Sequence, residues 1–142
     1  MPFVQVYIHA VWGTKNRFPF LTSSILQKLC VHISANAKNK GIHVIEINGY
    51  LDHVHCLFGL NTDMPLAKHL QLIKGESSFW LNKQRLFAAK FEWADEYFAS
   101  SVSESRMKNV IAYIKNQQEH HKRVSFSEEY DSFLRGFTSF QG

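Results

Sequence analysis

Two spacings of apolar residues run through this chain, one of period two and one of period three to four. Residues 3–12 (FVQVYIHAVW) alternate apolar and polar near their start and are rich in β-branched and aromatic side chains, which predicts a first strand. Gly13-Thr14-Lys15-Asn16-Arg17 leaves that strand as a basic loop. Ile25, Leu26, Leu29, Ile33 and Ala37 then fall on one helical stripe, with Thr22 or Ser23 able to cap it and Gly41 to stop it. Two short runs, residues 43–48 and 53–60, flank Gly49-Tyr50-Leu51-Asp52 and predict a hairpin of strands two and three. Asp63 followed by Pro65 announces a second helix, with Pro65 just inside its first turn and Leu66, Leu70, Ile73, Phe79 and Trp80 as apolar positions. A fourth strand is expected around Tyr97, a third helix over residues 103–121 with Ser103 as its N-cap, and a short helix near residues 127–134.

The resulting order, β-α-β-β-α-β and then helices, predicts an α+β, ferredoxin-like antiparallel sheet with helices on one face plus C-terminal helices. No repeat, low-complexity segment or linker-like stretch interrupts it. Residues 1–142 therefore read as a single domain with a short extension from residue 122. Such folds host many functions, so chemistry has to be argued from particular residues.

Composition narrows the field only a little. With 45% hydrophobic residues and 12 Phe, the 142-residue chain can bury a sizeable core, which excludes wholesale disorder. Sixteen Lys and Arg against 12 Asp and Glu permit an anionic partner without demanding one. Two cysteines, Cys30 and Cys56, make neither a disulfide framework nor a zinc ribbon. No apolar run is long enough for a membrane span, and the N-terminus does not read as a signal peptide. A cytoplasmic setting with no membrane partner is the expectation. Eight histidines are left to explain.

Asp52-His53-Val54-His55-Cys56-Leu57-Phe58 carries the first candidate chemistry. Residues two apart on a strand share a face, so His53 and His55 project together, away from Val54, Cys56 and Phe58. Two imidazoles on rigid backbone make a platform for a divalent metal. In a chain this rich in histidine, the same pair also suits solvent-facing or core-satisfied rings. The third helix carries the second candidate. Met107, Val110, Ile111 and Ile114 form its core stripe, and Tyr113 and Gln117, four apart, flank that stripe one turn from each other. That position suits either a cleft between helix and sheet or a plain core edge.

A His-hydrophobic-His strand followed by a helix with Tyr-x-x-x-Gln resembles the single-tyrosine HUH transposases of small bacterial and archaeal insertion sequences, the IS200-like family, with the REP-associated tyrosine transposases as close relatives. Other stretches resemble the family too: His9-Ala10-Val11-Trp12-Gly13-Thr14-Lys15-Asn16-Arg17, Ile73-Lys74-Gly75-Glu76-Ser77-Ser78 and Trp93-Ala94-Asp95-Glu96-Tyr97-Phe98. Glu96 departs from the pattern, which carries a small residue there. The resemblance covers residues 7–134 and rests on the order and spacing of these pieces.

The resemblance implies cleavage and rejoining of single-stranded DNA. Tyr113 would be the nucleophile, leaving the protein on a 5′ phosphate and freeing a 3′ hydroxyl. His53, His55 and Gln117 would hold a divalent cation, Mg²⁺ or Mn²⁺, that offsets the weak nucleophilicity of a neutral phenol. Three neutral ligands bind a hard ion weakly, so the ion would be held mainly together with DNA. The implied partners are hairpin-bearing single-stranded DNA ends and a second copy of the chain, with Tyr113 completing its own subunit's His pair or its partner's. Lys15, Arg17 and Lys74 are candidate DNA contacts, with Lys68, Lys115 and Lys122 as further cations and Trp12, Phe18 and Phe20 as stacking candidates that also suit the core. His120 and His121 suit extra ligands, phosphate contacts or surface residues, with the surface reading preferred, and His9, His32, His43 and His69, without a partner at ligand spacing, read as structural.

Two other readings compete. A non-catalytic single-stranded nucleic-acid-binding module would use the same fold, although strand three carries histidines where RNA-recognition sheets carry aromatics. A metal-dependent hydrolase would want a carboxylate beside the metal. Asp52 adjoins His53 but is expected on the opposite face, and Glu46 is a possible neighbour.

Overall fold

The computed structural model describes the backbone of residues 2–141 and side chains through residue 136. Four strands, β1 (Tyr7–Gly13), β2 (His43–Tyr50), β3 (His53–Gly59) and β4 (Phe98–Val102), form one antiparallel sheet in the order β2-β3-β1-β4. This is the ferredoxin-like arrangement read from the element order. Helices α1 (Ser23–Asn39) and α2 (Leu66–Lys83) cover one face. The opposite face lies under α3 (Met107–Lys115), α4 (Gln117–His120) and α5 (Phe126–Gln141). Among the described residues, no helix is long and apolar enough to cross a membrane.

The first core sits between the sheet and α1 and α2. Ile8, Ala10 and Trp12 of β1 and Val54, Cys56 and Phe58 of β3 point into it and meet Leu26, Leu29, Ile33, Leu70, Ile73 and Leu81. Trp12 is fully enclosed there and belongs to the core, whereas Phe18 is exposed and rests on Phe20. Because β3 is central and covered on both sides, nearly all of it is buried, and its alternate residues face two different chemistries.

Several boundaries differ from the sequence reading. The first strand begins at Tyr7, so residues 3–6 lie outside it. Pro65 is the N-cap of α2, one residue before the helix, and β4 starts after Tyr97. The expected continuous third helix is broken. A 3-10 turn, Glu104–Arg106, leads into α3, and Asn116 (φ −95°, ψ 20°) separates α3 from α4. The cause is tertiary: the Asn48 amide of β2 donates to the carbonyls of Ile114 and Lys115, satisfying the end of α3 and fixing the break. The terminal helix runs from Phe126 to Gln141, longer than the expected 127–134.

Candidate metal and nucleophile site

β3 places His53 and His55 on the face away from the apolar core, where both are fully buried. In the β2–β3 register, Tyr50 lies opposite His53 and Asn48 opposite His55. Gly49 has to be glycine, since a Cβ there would lie 2.1 Å from the His53 carbonyl oxygen. The two rings hold each other edge to face at 5.1 Å.

Each ring is oriented from behind. His53 Nδ1 lies 2.9 Å from Asp52 Oδ1. An ionised carboxylate only accepts, so Nδ1 carries the proton and Nε2 faces the site with its lone pair. This corrects the expected placement of Asp52: it sits in the two-residue turn before β3, free of strand alternation, and its side chain folds back onto His53. Behind His55, His9 Nε2 lies 2.9 Å from His55 Nδ1. His9, expected to be without a ligand-type partner, thus supports the second imidazole from β1.

Gln117 and Tyr113 arrive from α4 and α3. Gln117 is fully buried, and its Oε1 lies 3.1 Å from His53 Nε2. Its amide donates to the Tyr113 carbonyl at 3.3 Å, which fixes the orientation and keeps Oε1 facing inward. Tyr113 lies edge-on to His55 with ring centroids 5.6 Å apart, and its hydroxyl lies 3.3 Å from His120 Nε2. One chain therefore brings the four side chains together without a partner's help. The helix break does not separate the pair, because Gln117 begins α4 directly after it.

Two further residues join the cluster, one weighed as a ligand in the sequence and set aside, the other missed. His121, expected at the surface, is enclosed. It stacks on Tyr50 at 5.3 Å, donates through Nδ1 to the Val124 carbonyl at 2.6 Å, and directs Nε2 to Gln117 Oε1 at 2.9 Å. His120 keeps partial exposure. Glu129 of α5 is 4% exposed. Its Oε1 lies 3.0 Å from His55 Nε2 and 3.4 Å from both His53 Nε2 and His121 Nε2, while Oε2 accepts from the Tyr113 hydroxyl and lies 3.0 Å from His120 Nε2. Its signal was present in the chain: Glu129 lies on the same stripe of α5 as Phe126, Tyr130 and Phe133, a carboxylate on an otherwise apolar face.

Burial sets the electrostatics. It pushes the His55 imidazole down to about 3 and His9 down to about 4, in each case against the pull of Glu129, so both rings are neutral at pH 7. Burial works to raise the Glu129 carboxyl, but its close contacts with the His121 and His55 imidazoles outweigh that and hold it well below the usual range. Burial, and then the Glu129 hydrogen bond and charge, push the Tyr113 phenol above its ordinary value.

The proton inventory tests the fit to a metal. His53 and His121 spend their Nδ1 protons outward, on Asp52 and Val124. Their Nε2 atoms then meet Gln117 Oε1 and Glu129 Oε1, which are acceptors. Such a convergence of lone pairs needs an added proton or a cation. Ligand atoms of His53, His55, His121 and Glu129 all lie within 4.8 Å of one another, and imidazole with carboxylate is a donor set for a divalent metal.

A cleft of about 600 Å³ opens onto Tyr113 and His120 and is also lined by Asn109, Asn116 and Arg123. Two larger clefts, between α1 and β2 and beside α2, lie away from the cluster. Of the candidate DNA contacts, Lys15 pairs with Glu92 at 3.0 Å at the surface, and Arg17 lies 5.5 Å from the centre of the Phe126 ring. Lys74 is half-buried and donates to the carbonyls of Ala94 and Asp95 at 2.7 and 3.1 Å, tying α2 to the segment before β4.

Residues 2–117 match the family described as Transposase IS200 like. The ISDra2 transposase TnpA of Deinococcus radiodurans is 24% identical over 121 residues, which is 81% of this chain and 86% of that relative. A crystal structure of a Deinococcus radiodurans R1 protein described as a transposase, also 24% identical, aligns with a TM-score of 0.62 over 82% of this chain and 93% of its own. The structure of a REP-associated tyrosine transposase bound to a REP hairpin, 14% identical, aligns at 0.64 over 87% of this chain and 73% of its own. The family match ends at Gln117, so His121 and α5 with Glu129 lie beyond it.

Proposed function

This chain belongs to the IS200-like transposase family, and from that premise we propose that it cuts and rejoins single-stranded DNA through a covalent bond between Tyr113 and a 5′ phosphate. The observation that carries the reading is the convergence, in one chain, of the Tyr113 hydroxyl with two back-supported imidazoles and the Gln117 amide oxygen. His53 Nε2, His55 Nε2 and Gln117 Oε1 would hold a divalent cation. When bound, it supplies charge neutralisation and polarisation at the scissile phosphate.

The chain's own residues do the rest. The Tyr113 oxygen attacks phosphorus while the 3′ oxygen of the preceding nucleotide leaves. Once the phenol is released from Glu129 Oε2, to which it donates here, His120 Nε2, 3.3 Å away, takes the phenolic proton. The leaving oxygen takes a proton from solvent and ends as a free 3′ hydroxyl. Because the new bond is itself a phosphodiester, a 3′ hydroxyl can reverse the step, with His120 returning the proton to Tyr113, and strands are joined without ATP. Asp52 accepts the His53 Nδ1 proton and so keeps that imidazole in the tautomer that presents Nε2, and His9 braces the His55 ring from behind.

The substrate in this reading is hairpin-bearing single-stranded DNA, following the REP hairpin held by the solved relative; two copies of the chain acting together is what the family resemblance implies. Incubation of the protein with labelled single-stranded DNA carrying a hairpin, with Mn²⁺ present, should give a shifted band on a denaturing gel. Tyr113→Phe should abolish that band and keep DNA binding. A band of full strength from the variant would remove Tyr113 from the mechanism.

A further inference from the structure

α5 closes the site face although it lies beyond the residues matched to the family. Aromatic side chains seat it. The Phe126 ring stacks on His53 at 4.2 Å and nearly parallel, in the space left by Gly13, where a Cβ would come within 2.7 Å of that ring. Phe133 meets His9 and His55 edge-on at 5.9 and 6.1 Å. Between these anchors stands Glu129. An ionised carboxylate taken out of water costs several kcal/mol unless it is well paired, and this one faces rings that are short of inward-pointing protons. Its burial is explained if it normally has a cation for company.

Resting on the function proposed above, we propose that Glu129 and His121 are resident metal ligands. With His53, His55 and Gln117 they complete a five-donor site for a divalent transition metal of the Mn²⁺ type, and the scissile phosphate has to replace the Glu129 carboxylate to reach the ion. Three imidazoles and one carboxylate favour such an ion over Mg²⁺, which prefers oxygen donors and keeps its waters. The carboxylate also changes an expectation from the sequence: neutral ligands alone would hold the ion mainly with DNA, whereas a resident anion holds it beforehand. Carboxylate and phosphate oxygens are both hard anionic donors. With α5 seated, Glu129 touches both the imidazole pair and the Tyr113 hydroxyl, the two groups that a scissile phosphate must also touch. His53 and His55 are fully enclosed in this state, so phosphate entry requires α5 to lift.

The test is titration of metal-depleted, full-length protein with Mn²⁺ and with Mg²⁺ by calorimetry, without DNA. The wild-type chain should bind Mn²⁺ at least tenfold more tightly than Mg²⁺. Glu129→Gln should weaken Mn²⁺ by about tenfold or more, the scale on which even outer-shell partners act. Glu129→Asp, which keeps the carboxylate, should recover part of the loss. A second readout follows α5 directly: Mn²⁺ should slow amide exchange across residues 126–136 in the wild type and not in Glu129→Gln. Unchanged Mn²⁺ affinity in Glu129→Gln, with His53→Ala abolishing binding, would overturn the ligand role of Glu129 and leave the His-pair reading standing. Binding of Mn²⁺ only after DNA is added would overturn the resident site in the same way. Failure of the function itself would show separately, as a missing covalent adduct.

Discussion

β3 shows two interiors on one strand. Towards α1 and α2 it sends Val54, Cys56 and Phe58 into close-packed hydrocarbon. Towards α3, α4 and α5 it sends His53 and His55 into an equally buried setting made of imidazole, amide, phenol and carboxylate. The first interior is stabilised by apolar burial, which outweighs the one indole N–H, that of Trp12, left there without a partner among the described residues. The second is buried at a cost and is not satisfied by its own protons. The contrast teaches where the fold keeps its stability and where it keeps its chemistry, and it yields different outcomes for damage on the two sides.

The largest effect is expected on the apolar side. Phe58→Ala removes a fully enclosed ring and should cost about 3–5 kcal/mol of unfolding free energy, measured by denaturant titration. Where the variant still folds, Mn²⁺ should stabilise it as much as it stabilises the wild type. On the polar side the metal itself is the probe. At a concentration of about 100 times its dissociation constant, Mn²⁺ should stabilise the chain by about 2.7 kcal/mol, and His55→Ala should lose that increment. A shift of the same size in His55→Ala would place the metal elsewhere.

Acid should loosen the polar side alone. His9 and His55 are held near 4 and 3 in the folded chain, against an ordinary 6.5. Between those values the unfolded chain binds more protons than the folded one. Their contribution is therefore intact above pH 6.5 and drains away as pH falls through 6.5 towards 3–4. Denaturation midpoints at pH 7 and pH 5 should show the fall, and His9→Gln should reduce the dependence. The smallest effect is expected at the rim: Lys122→Ala breaks an exposed pair with Glu119 and should leave the denaturation midpoint unmoved.

How much of this could be read from the chain followed from the range of each interaction. Period two on β3 paired His53 with His55, and one helical turn paired Tyr113 with Gln117, because both are local regularities. The strand order, too, followed from the sequence of elements. The break at Asn116 was not readable, since it depends on Asn48, 66 positions from Ile114, reaching across to the end of α3. Asp52 was misplaced because strand alternation was applied to a turn residue. Glu129 comes to the imidazoles through the docking of α5, and His121 through the stacking of its ring on Tyr50 of β2, both tertiary events. Only the lone carboxylate on the apolar stripe of α5 hinted at the first.

In the proposed reaction Tyr113 is the group that takes the phosphate. The most direct measurement is mass spectrometry of tryptic peptides after reaction with hairpin-bearing single-stranded DNA and Mn²⁺. The predicted result is a 5′-phosphonucleotide on the peptide containing Tyr113. Cleaved DNA with free 5′ phosphate ends and no modified peptide, or a nucleotide on a different side chain, would contradict it.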